Sequence, residues 1–145
     1  MEDPFNLQRF VEAQRDEINI VRTELAGGRK QSHWMWFIFP QLRGLGQSWA
    51  ANHYGISGSA EAEAYLDHPR LGPRLIDCTQ LVNHIKGRSA EEIFGDIDAM
   101  KFRSSMTLFS VAAEDQTIFH DALEQYFSGQ RDVRTIELLK RPDSR

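Results

Sequence analysis

Cysteine is almost absent from this sequence, since Cys78 is the one cysteine in 145 residues. No disulfide can therefore form within the chain, and the paired cysteine spacings typical of zinc sites are missing. The five histidines are scattered singly and supply no paired ligand spacing either. We expect neither a metal ion nor another cofactor. Cys78 lies on an apolar helical stripe, so we expect a buried, unreactive thiol.

Long hydrophobic runs are also missing. The longest, from Trp34 to Pro40, has far fewer apolar residues than the roughly 20 that are needed to cross a bilayer. The first residues, Met1 to Pro4, are acidic and contain no apolar stretch of the kind that secretory signals carry. The sequence thus predicts a cytoplasmic protein with no membrane partner.

Basic tracts are absent too, and the formal net charge is −4. Proteins that hold duplex DNA or RNA neutralise its phosphates with a basic face, which this charge balance does not supply. We therefore expect no nucleic-acid duplex as a partner. A local basic pocket for one small anionic, nucleotide-like ligand stays open. The chain is expected to be a monomer or a weak dimer.

Apolar residues, by contrast, are plentiful enough for one core, at 41% of the 145 residues. They recur at three- and four-residue intervals along most of the chain, which is the spacing of amphipathic helices. The sequence predicts an all-α fold, a compact single-domain orthogonal bundle of about seven or eight short helices. That domain is expected to span residues 1–145, with a core over about 3–140 and a flexible tail over 141–145.

Capping residues and glycines predict where the helices begin and end. A long first helix is predicted from Asp3-Pro4 to Leu25, with Gly27-Gly28 as its end. Six later side chains are predicted to cap helix N-termini, and Ser89 among them forms a capping box with Glu92. These residues are Ser48, Ser59, Ser89, Asp98, Asp115 and Asp132.

The segment 33–40, HWMWFIFP, has no polar face between Trp34 and Phe39 at the period of either a helix or a strand. It must therefore be buried on most sides. A short helical turn and an extended core segment both fit this pattern. In either case we expect an aromatic-rich central segment around which the short helices gather.

Four stretches of the sequence resemble a known family. These are His33 to Leu42 with Gly44-Leu45-Gly46, Glu61 to Leu66, Leu71 to Leu75, and Lys101 to Phe109. Together, in this order, they resemble the bacterial family catalogued as domain of unknown function 1810, over Asp3 to about Leu139. The resemblance implies a compact, mainly helical domain and no particular activity.

Met100-Lys101-Phe102, followed by the apolar stretch Met106 to Phe109, is also similar to domains named for NAD and ADP-ribose (NADAR), which act on nucleotide sugars. Those domains carry an early Ser-x-Glu-His segment. Here Ser32-His33 lacks the glutamate, and Ser59-Ala60-Glu61 is the other candidate, so the resemblance leaves the catalytic carboxylate unassigned.

Candidate site residues are the polar and aromatic side chains around these motifs. Trp34 or Tyr54 could stack on a base, and Lys101 or Arg103 could hold a phosphate. The backbone of the glycine-containing loop 41–48 could hold an anion, or the loop could be a plain turn. The alternative for the aromatic residues is packing in the core, and the alternative for the charged residues is a solvated surface. The predicted ligand-binding residues are Lys30, His33, Trp34, Gln41, Arg43, Tyr54, Lys101 and Arg103, and the predicted catalytic carboxylates are Glu61 and Asp98.

Two functions of different classes fit this pattern. The first is binding of a small nucleotide-like or sugar-phosphate ligand. If the protein is an enzyme, it would hydrolyse a C–N glycosidic bond, with a carboxylate activating water or stabilising oxocarbenium-like charge. The alternative is a non-enzymatic protein-interaction module with an exposed aromatic patch. No nucleophile elbow, Walker loop or dinucleotide fingerprint is present, so the sequence leaves open whether catalysis occurs.

Overall fold

Ten α-helices account for most of residues 2–141, which are the residues that the computed structural model describes. They are α1 (Gln8–Arg15), α2 (Ile18–Ala26), α3 (Met35–Ile38), α4 (Trp49–His53), α5 (Ser59–Asp67), α6 (Leu71–His84), α7 (Ala90–Phe94), α8 (Asp96–Ala112), α9 (Thr117–Phe127) and α10 (Val133–Leu139). Extended pairing within residues 2–141 is limited to one isolated bridge, between Leu42 and Ile56. The all-α prediction is confirmed, with more helices than expected. Positions 142–145 of the predicted tail lie outside the described residues.

The predicted long first helix is wrong, because the chain forms two helices there. α1 ends at Arg15 and α2 begins at Ile18. α1 packs on α3, and the buried Gln14 amide donates to the Phe37 carbonyl oxygen at 2.7 Å, whereas α2 packs on α6. The break lets each half meet a different partner. Periodicity along the chain does not contain that information.

Helix α8 is the centre of the bundle and packs against α3, α5, α7, α9 and α10. Its buried face contains three serines and one threonine beside its large apolar residues, and small side chains allow neighbouring helices to approach closely. Three of these four hydroxyls are satisfied within the helix, whereas Ser105 Oγ has no hydrogen-bond partner within residues 2–141. Ser104 Oγ donates to the Met100 carbonyl oxygen at 3.1 Å, and Thr107 Oγ1 donates to that of Arg103 at 2.8 Å.

The aromatic segment adopts a helical turn, α3, and lies in the core as predicted. Trp34 and Phe39 are completely buried, while Trp36 and Phe37 are half-buried. The Phe39 ring meets the Phe102 ring edge-on, with centroids 5.0 Å apart. Such edge-to-face pairs add to the stabilisation that burial provides. The segment thereby joins α3 to the central helix α8.

Three predicted N-caps are confirmed by side-chain hydrogen bonds. Ser48 Oγ accepts from the Ala51 amide at 3.1 Å, Ser89 and Glu92 form the capping box, and Asp132 Oδ2 accepts from the Thr135 amide at 3.0 Å.

Three other predicted caps are wrong. Gly58 and Gln116 occupy the N-cap positions of α5 and α9, so neither Ser59 nor Asp115 caps a helix. Gly95, with φ of 85°, turns the chain directly from α7 into α8. Helix α8 therefore begins at Asp96, and Asp98 lies within its first turn, where it is free to pair with cations.

The single cysteine is buried in α6, and burial raises the pKa of the Cys78 thiol to about 12. Since the thiolate is the nucleophilic form, a thiol with this pKa is unreactive near neutral pH. This confirms the expectation of a structural cysteine. Within residues 2–141, no helix is both long enough and apolar enough to span a bilayer.

The carboxylate of Glu24 attaches the aromatic segment to α2. Its Oε1 accepts from the backbone amides of Gln31 (2.7 Å) and Ser32 (2.9 Å) and from Trp34 Nε1 (2.9 Å), and its Oε2 accepts from Ser32 Oγ (2.5 Å). Partial burial raises the pKa of Glu24, but these four hydrogen bonds outweigh it and lower the pKa to about 2. The chain between α2 and α3 is thus held by one charged group.

Replacing Glu24 with glutamine should lower the free energy of unfolding at neutral pH by about 1–3 kcal/mol, because an amide has one acceptor oxygen for four donors. The pKa of Glu24 is lowered from 4.5 to about 2, so its stabilisation is complete above pH 4.5 and is lost as the pH falls towards 2. Urea denaturation at several pH values should show the difference between wild type and Glu24→Gln shrinking in acid.

The matched control is Glu12→Gln, because Glu12 is exposed on α1. It should change stability by less than about 0.5 kcal/mol. If the loss of unfolding free energy in Glu24→Gln stays constant from neutral pH into the acid range, the ionised Glu24 carboxylate is not what stabilises this part of the fold.

Candidate functional site

An open cleft of about 530 Å³ lies between α3, the loop over residues 41–48, the first half of α8 and the start of α10. Its wall combines exposed apolar side chains with a few polar and charged groups. The lining residues are Trp36, Gln41, Leu45, Gly46, Gln47, Ser48, Ala51, Ile97, Met100, Lys101, Ser104, Asp132 and Arg134. A volume in this range is typical of small-molecule sites.

The loop wall of the cleft is held by the bridge between Leu42 and Ile56. The Arg43 amide donates to the Ile56 carbonyl oxygen at 2.8 Å, and the Ile56 amide donates to that of Gln41 at 2.9 Å. Gly55 is required beside this bridge, because a Cβ there would stand 2.7 Å from the Ala51 carbonyl oxygen. The loop is therefore a fixed wall with a defined shape.

A charge cluster lies at the α8 side of the cleft. Asp98 Oδ2 is 2.8 Å from Lys30 Nζ, and Asp98 Oδ1 is 3.3 Å from Lys101 Nζ. Two ammonium groups thus share one carboxylate, which leaves a formal excess of one positive charge. All three side chains are at most 20% exposed, so this charge is less screened than one on the open surface.

Lys101 is the member of this cluster that lines the cleft. Its Nζ lies 4.2 Å from the centroid of the Trp36 ring, which also lines the cleft. A cation over a tryptophan face is favourable. Lys101 is therefore held from two sides, by the carboxylate of Asp98 and by the ring of Trp36, and its side chain is 20% exposed.

The wall next to α10 contributes one carboxylate and one further cation, Asp132 and Arg134. Its position relative to α8 is fixed by Arg103, which donates to the carbonyl oxygens of Gln130 (2.9 Å) and Arg131 (3.1 Å). The predicted phosphate ligand Arg103 is thus occupied with positioning the chain that leads to Asp132.

The structure brings together some of the predicted residues. Lys30, Asp98 and Lys101 form the charge cluster, and Gln41 lines the same cleft as Lys101. Trp34 does not belong with them, because it is 0% exposed and its indole is bonded to Glu24, so no ligand can stack on it. The prediction of Trp34 as a stacking residue is corrected to a core residue.

Three other predicted residues lie outside the cleft lining. His33 is exposed, and Arg43 donates to the Gly55 carbonyl oxygen at 3.0 Å. Tyr54 borders a much smaller pocket behind the loop and packs against Phe10, with ring centroids 5.8 Å apart. None of these three residues lines the cleft together with Lys101.

Glu61 is a structural carboxylate, not one that faces a ligand. It is 2% exposed, and its oxygens accept from Arg9 Nη2 (2.8 Å) and the Ser57 amide (2.9 Å). Arg9 also donates to the carbonyl oxygens of His53 (2.7 Å) and Gly55 (3.0 Å). The pair fastens α1 and α5 to the chain behind the loop, which corrects the predicted catalytic role of Glu61.

Sequence reasoning missed Trp36, Met100, Asp132 and Arg134 as cleft residues. Asp132 was recognised only as an N-cap, and Arg134 follows it on an ordinary amphipathic helix. No local pattern distinguishes these residues, because α8 and α10 meet only through the fold. Within residues 2–141, no group of three or more His, Cys, Asp or Glu side chains is placed to hold a metal ion.

The fold and the cleft together define an all-helical protein with a partly apolar cleft that carries surplus positive charge at one end. The chain matches the family described as "Protein of unknown function (DUF1810)" over residues 4–139. Because this match covers almost the whole chain, the protein belongs to that family.

A solved structure has the same fold. The chain is 54% identical to the conserved hypothetical protein Rv1873 from Mycobacterium tuberculosis, with a TM-score of 0.95, and the alignment covers 97% of this chain and 100% of that one. No curated protein matches. The similarity to domains named for NAD and ADP-ribose gains no support from these comparisons. Neither description names a ligand.

Replacing Asp98 with asparagine should lower the free energy of unfolding by about 1–3 kcal/mol, because two partly buried ammonium groups would lose their shared counter-charge. The matched control is Asp96→Asn, an exposed position in the same turn of α8. Urea denaturation compares the two. Equal effects of both substitutions would show that the helix N-terminus, and not the lysine pairing, is what Asp98 serves.

Proposed function

We propose that the protein binds a small anionic ligand of nucleotide-like or sugar-phosphate character in the cleft between α3, α8 and α10. The observation that carries this proposal is the Lys101 ammonium, held 4.2 Å from the Trp36 ring centroid on the cleft wall. A preset cation loses little freedom when it binds an anion, which favours affinity. Arg134 supplies a second cation on the α10 wall of the same cleft.

The apolar part of such a ligand has a matching surface. Ile97 and Met100 line the cleft and are 73% and 71% exposed, respectively. Methionine adapts to flat or irregular ligands and makes favourable sulfur contacts with aromatic rings. These two residues and the free part of Trp36 replace Trp34 and Tyr54 as the surface against which a base would pack.

Binding is the part of the sequence prediction that the geometry supports. Hydrolysis of a C–N glycosidic bond would need a carboxylate in the cleft, and both predicted carboxylates are engaged elsewhere, Glu61 with Arg9 and Asp98 with two lysines. Among the cleft-lining residues, Asp132 is the carboxylate. Small phosphorylated metabolites are common inside cells, in keeping with the cytoplasmic location expected from the sequence.

A protein-interaction surface is the second candidate. Of the five large hydrophobic side chains exposed within residues 2–141, Ile97 and Met100 line the cleft. Trp49 and Val133 are direct chain neighbours of lining residues. Trp49 is 72% exposed and stacked on His53, with ring centroids 4.6 Å apart. An exposed tryptophan is costly to leave in water and is frequent at binding surfaces.

Calorimetric titration with ADP-ribose, AMP and adenosine tests the ligand proposal. ADP-ribose and AMP should bind and raise the melting temperature, adenosine should bind more weakly, and added salt should weaken the first two. Lys101→Gln should reduce AMP affinity about tenfold, since it removes a charged hydrogen-bond donor. The matched control is Lys140→Gln, an exposed lysine that does not line the cleft.

Absence of stabilisation by any phosphorylated ligand at millimolar concentration would refute the ligand proposal. Sedimentation velocity tests the second candidate, the protein-interaction surface. If copies of the protein bind each other through the exposed hydrophobic residues around Trp49, the protein should associate in a concentration-dependent way, and Trp49→Ser should abolish this association. A protein that is a monomer or a weak dimer, as expected from the sequence, should show little or no such association.

A further inference from the structure

The two carboxylate oxygens of Asp132 have different surroundings. Oδ2 accepts from the Thr135 amide (3.0 Å) and from Thr135 Oγ1 (2.5 Å), and so it caps α10. Oδ1 has no hydrogen-bond or ion-pair partner within residues 2–141, and Asp132 lines the cleft. One oxygen therefore fixes the carboxylate in place, and the other has no protein partner within residues 2–141.

The backbone of Asp132 is fixed as firmly as its side chain. Its amide donates to Thr107 Oγ1 at 2.9 Å, and Thr107 Oγ1 itself donates to the Arg103 carbonyl oxygen on α8. The Arg103 guanidinium holds the two residues before Asp132 through their carbonyl oxygens. Asp132 thus has a set position relative to Lys101, which lies two residues before Arg103 on the same helix.

A carboxylate on the wall of a cation-bearing cleft repels phosphate and attracts hydrogen-bond donors. An ionised carboxylate only accepts hydrogen bonds, so the group that it recognises must carry O–H or N–H. A bare phosphate offers the cleft few such donors, whereas a sugar phosphate offers several hydroxyls beside its phosphate. The combination of Lys101, Arg134 and Asp132 in one cleft matches a ligand that has both kinds of group.

We propose that Asp132 makes the cleft selective for phosphates attached to a hydroxylated sugar, with Oδ1 accepting from a sugar hydroxyl while Lys101 binds the phosphate. This inference rests on the proposed function and names its ligand class more narrowly. Asp132 is then a specificity-determining residue that recognises the ribose hydroxyls of a nucleotide through hydrogen bonds.

The test compares AMP with 2′,3′-dideoxy-AMP, which has the same base and phosphate and lacks the two ribose hydroxyls. The wild-type protein should bind AMP about tenfold more tightly, since a hydrogen bond to a charged acceptor contributes at least that factor. Asp132→Asn and Asp132→Ser both keep an oxygen that can cap α10. Each should reduce AMP affinity, and each should leave dideoxy-AMP affinity unchanged or raise it by removing negative charge.

Ligand-free melting curves show whether the two variants fold, and Asp16→Asn, at an exposed position in the turn between α1 and α2, is the matched control. Equal affinity of the wild type for AMP and dideoxy-AMP would overturn the inference and leave the proposed function standing. An equal loss of affinity for AMP and dideoxy-AMP in both variants would also overturn the inference, because Asp132 would then have only a structural role. Failure of the wild type to bind AMP, dideoxy-AMP and ADP-ribose would refute the proposed function itself.

Discussion

The cleft depends on how the carboxylate of Glu24 holds the chain that leads into the aromatic segment. Four donors from three residues converge on this carboxylate, and two of them are backbone amides. Without an acceptor, the part-buried Ser32 amide and Trp34 indole would be left unpaired, which costs more than a hydrogen bond in water gains. Because Glu24 satisfies them, Trp34 can be fully buried and Trp36 can turn towards the cleft.

Two other carboxylates of the molecule also have both oxygens paired with donors from the protein. Asp98 divides its oxygens between Lys30 and Lys101, and Glu61 divides its oxygens between Arg9 and a backbone amide. Both are therefore fully engaged by the protein. Asp132 differs, because one of its oxygens caps α10 and the other has no partner within the described part of the chain. Of these three carboxylates, Asp132 is therefore the one that keeps an oxygen without a partner within residues 2–141.

Surplus positive charge in the cleft arises although the chain as a whole is acidic, with a net charge of −4. Net charge describes the average surface, whereas ligand binding depends on the few charges that share one concave wall. Lys30 and Lys101 are distant in sequence and meet at Asp98 only because α8 packs against α3 and α7, and the Lys30 amide donates to the Ile93 carbonyl oxygen of α7. A globally acidic protein can therefore present a local site for an anion.

The sequence alone determined the helical fold class, most helix ends and the burial of the aromatic segment and of Cys78. These follow from apolar periodicity and from short-range hydrogen bonds such as the Ser89–Glu92 capping box, which residues a few positions apart form by themselves. Only the tertiary structure decided that the first helix breaks at Asp16, that Trp34 belongs to the core and Trp36 to the cleft, and that Asp132 faces the same space as Lys101. The physical reason is that these outcomes depend on which helices pack together, and contacts between residues far apart in the chain leave no local pattern in it.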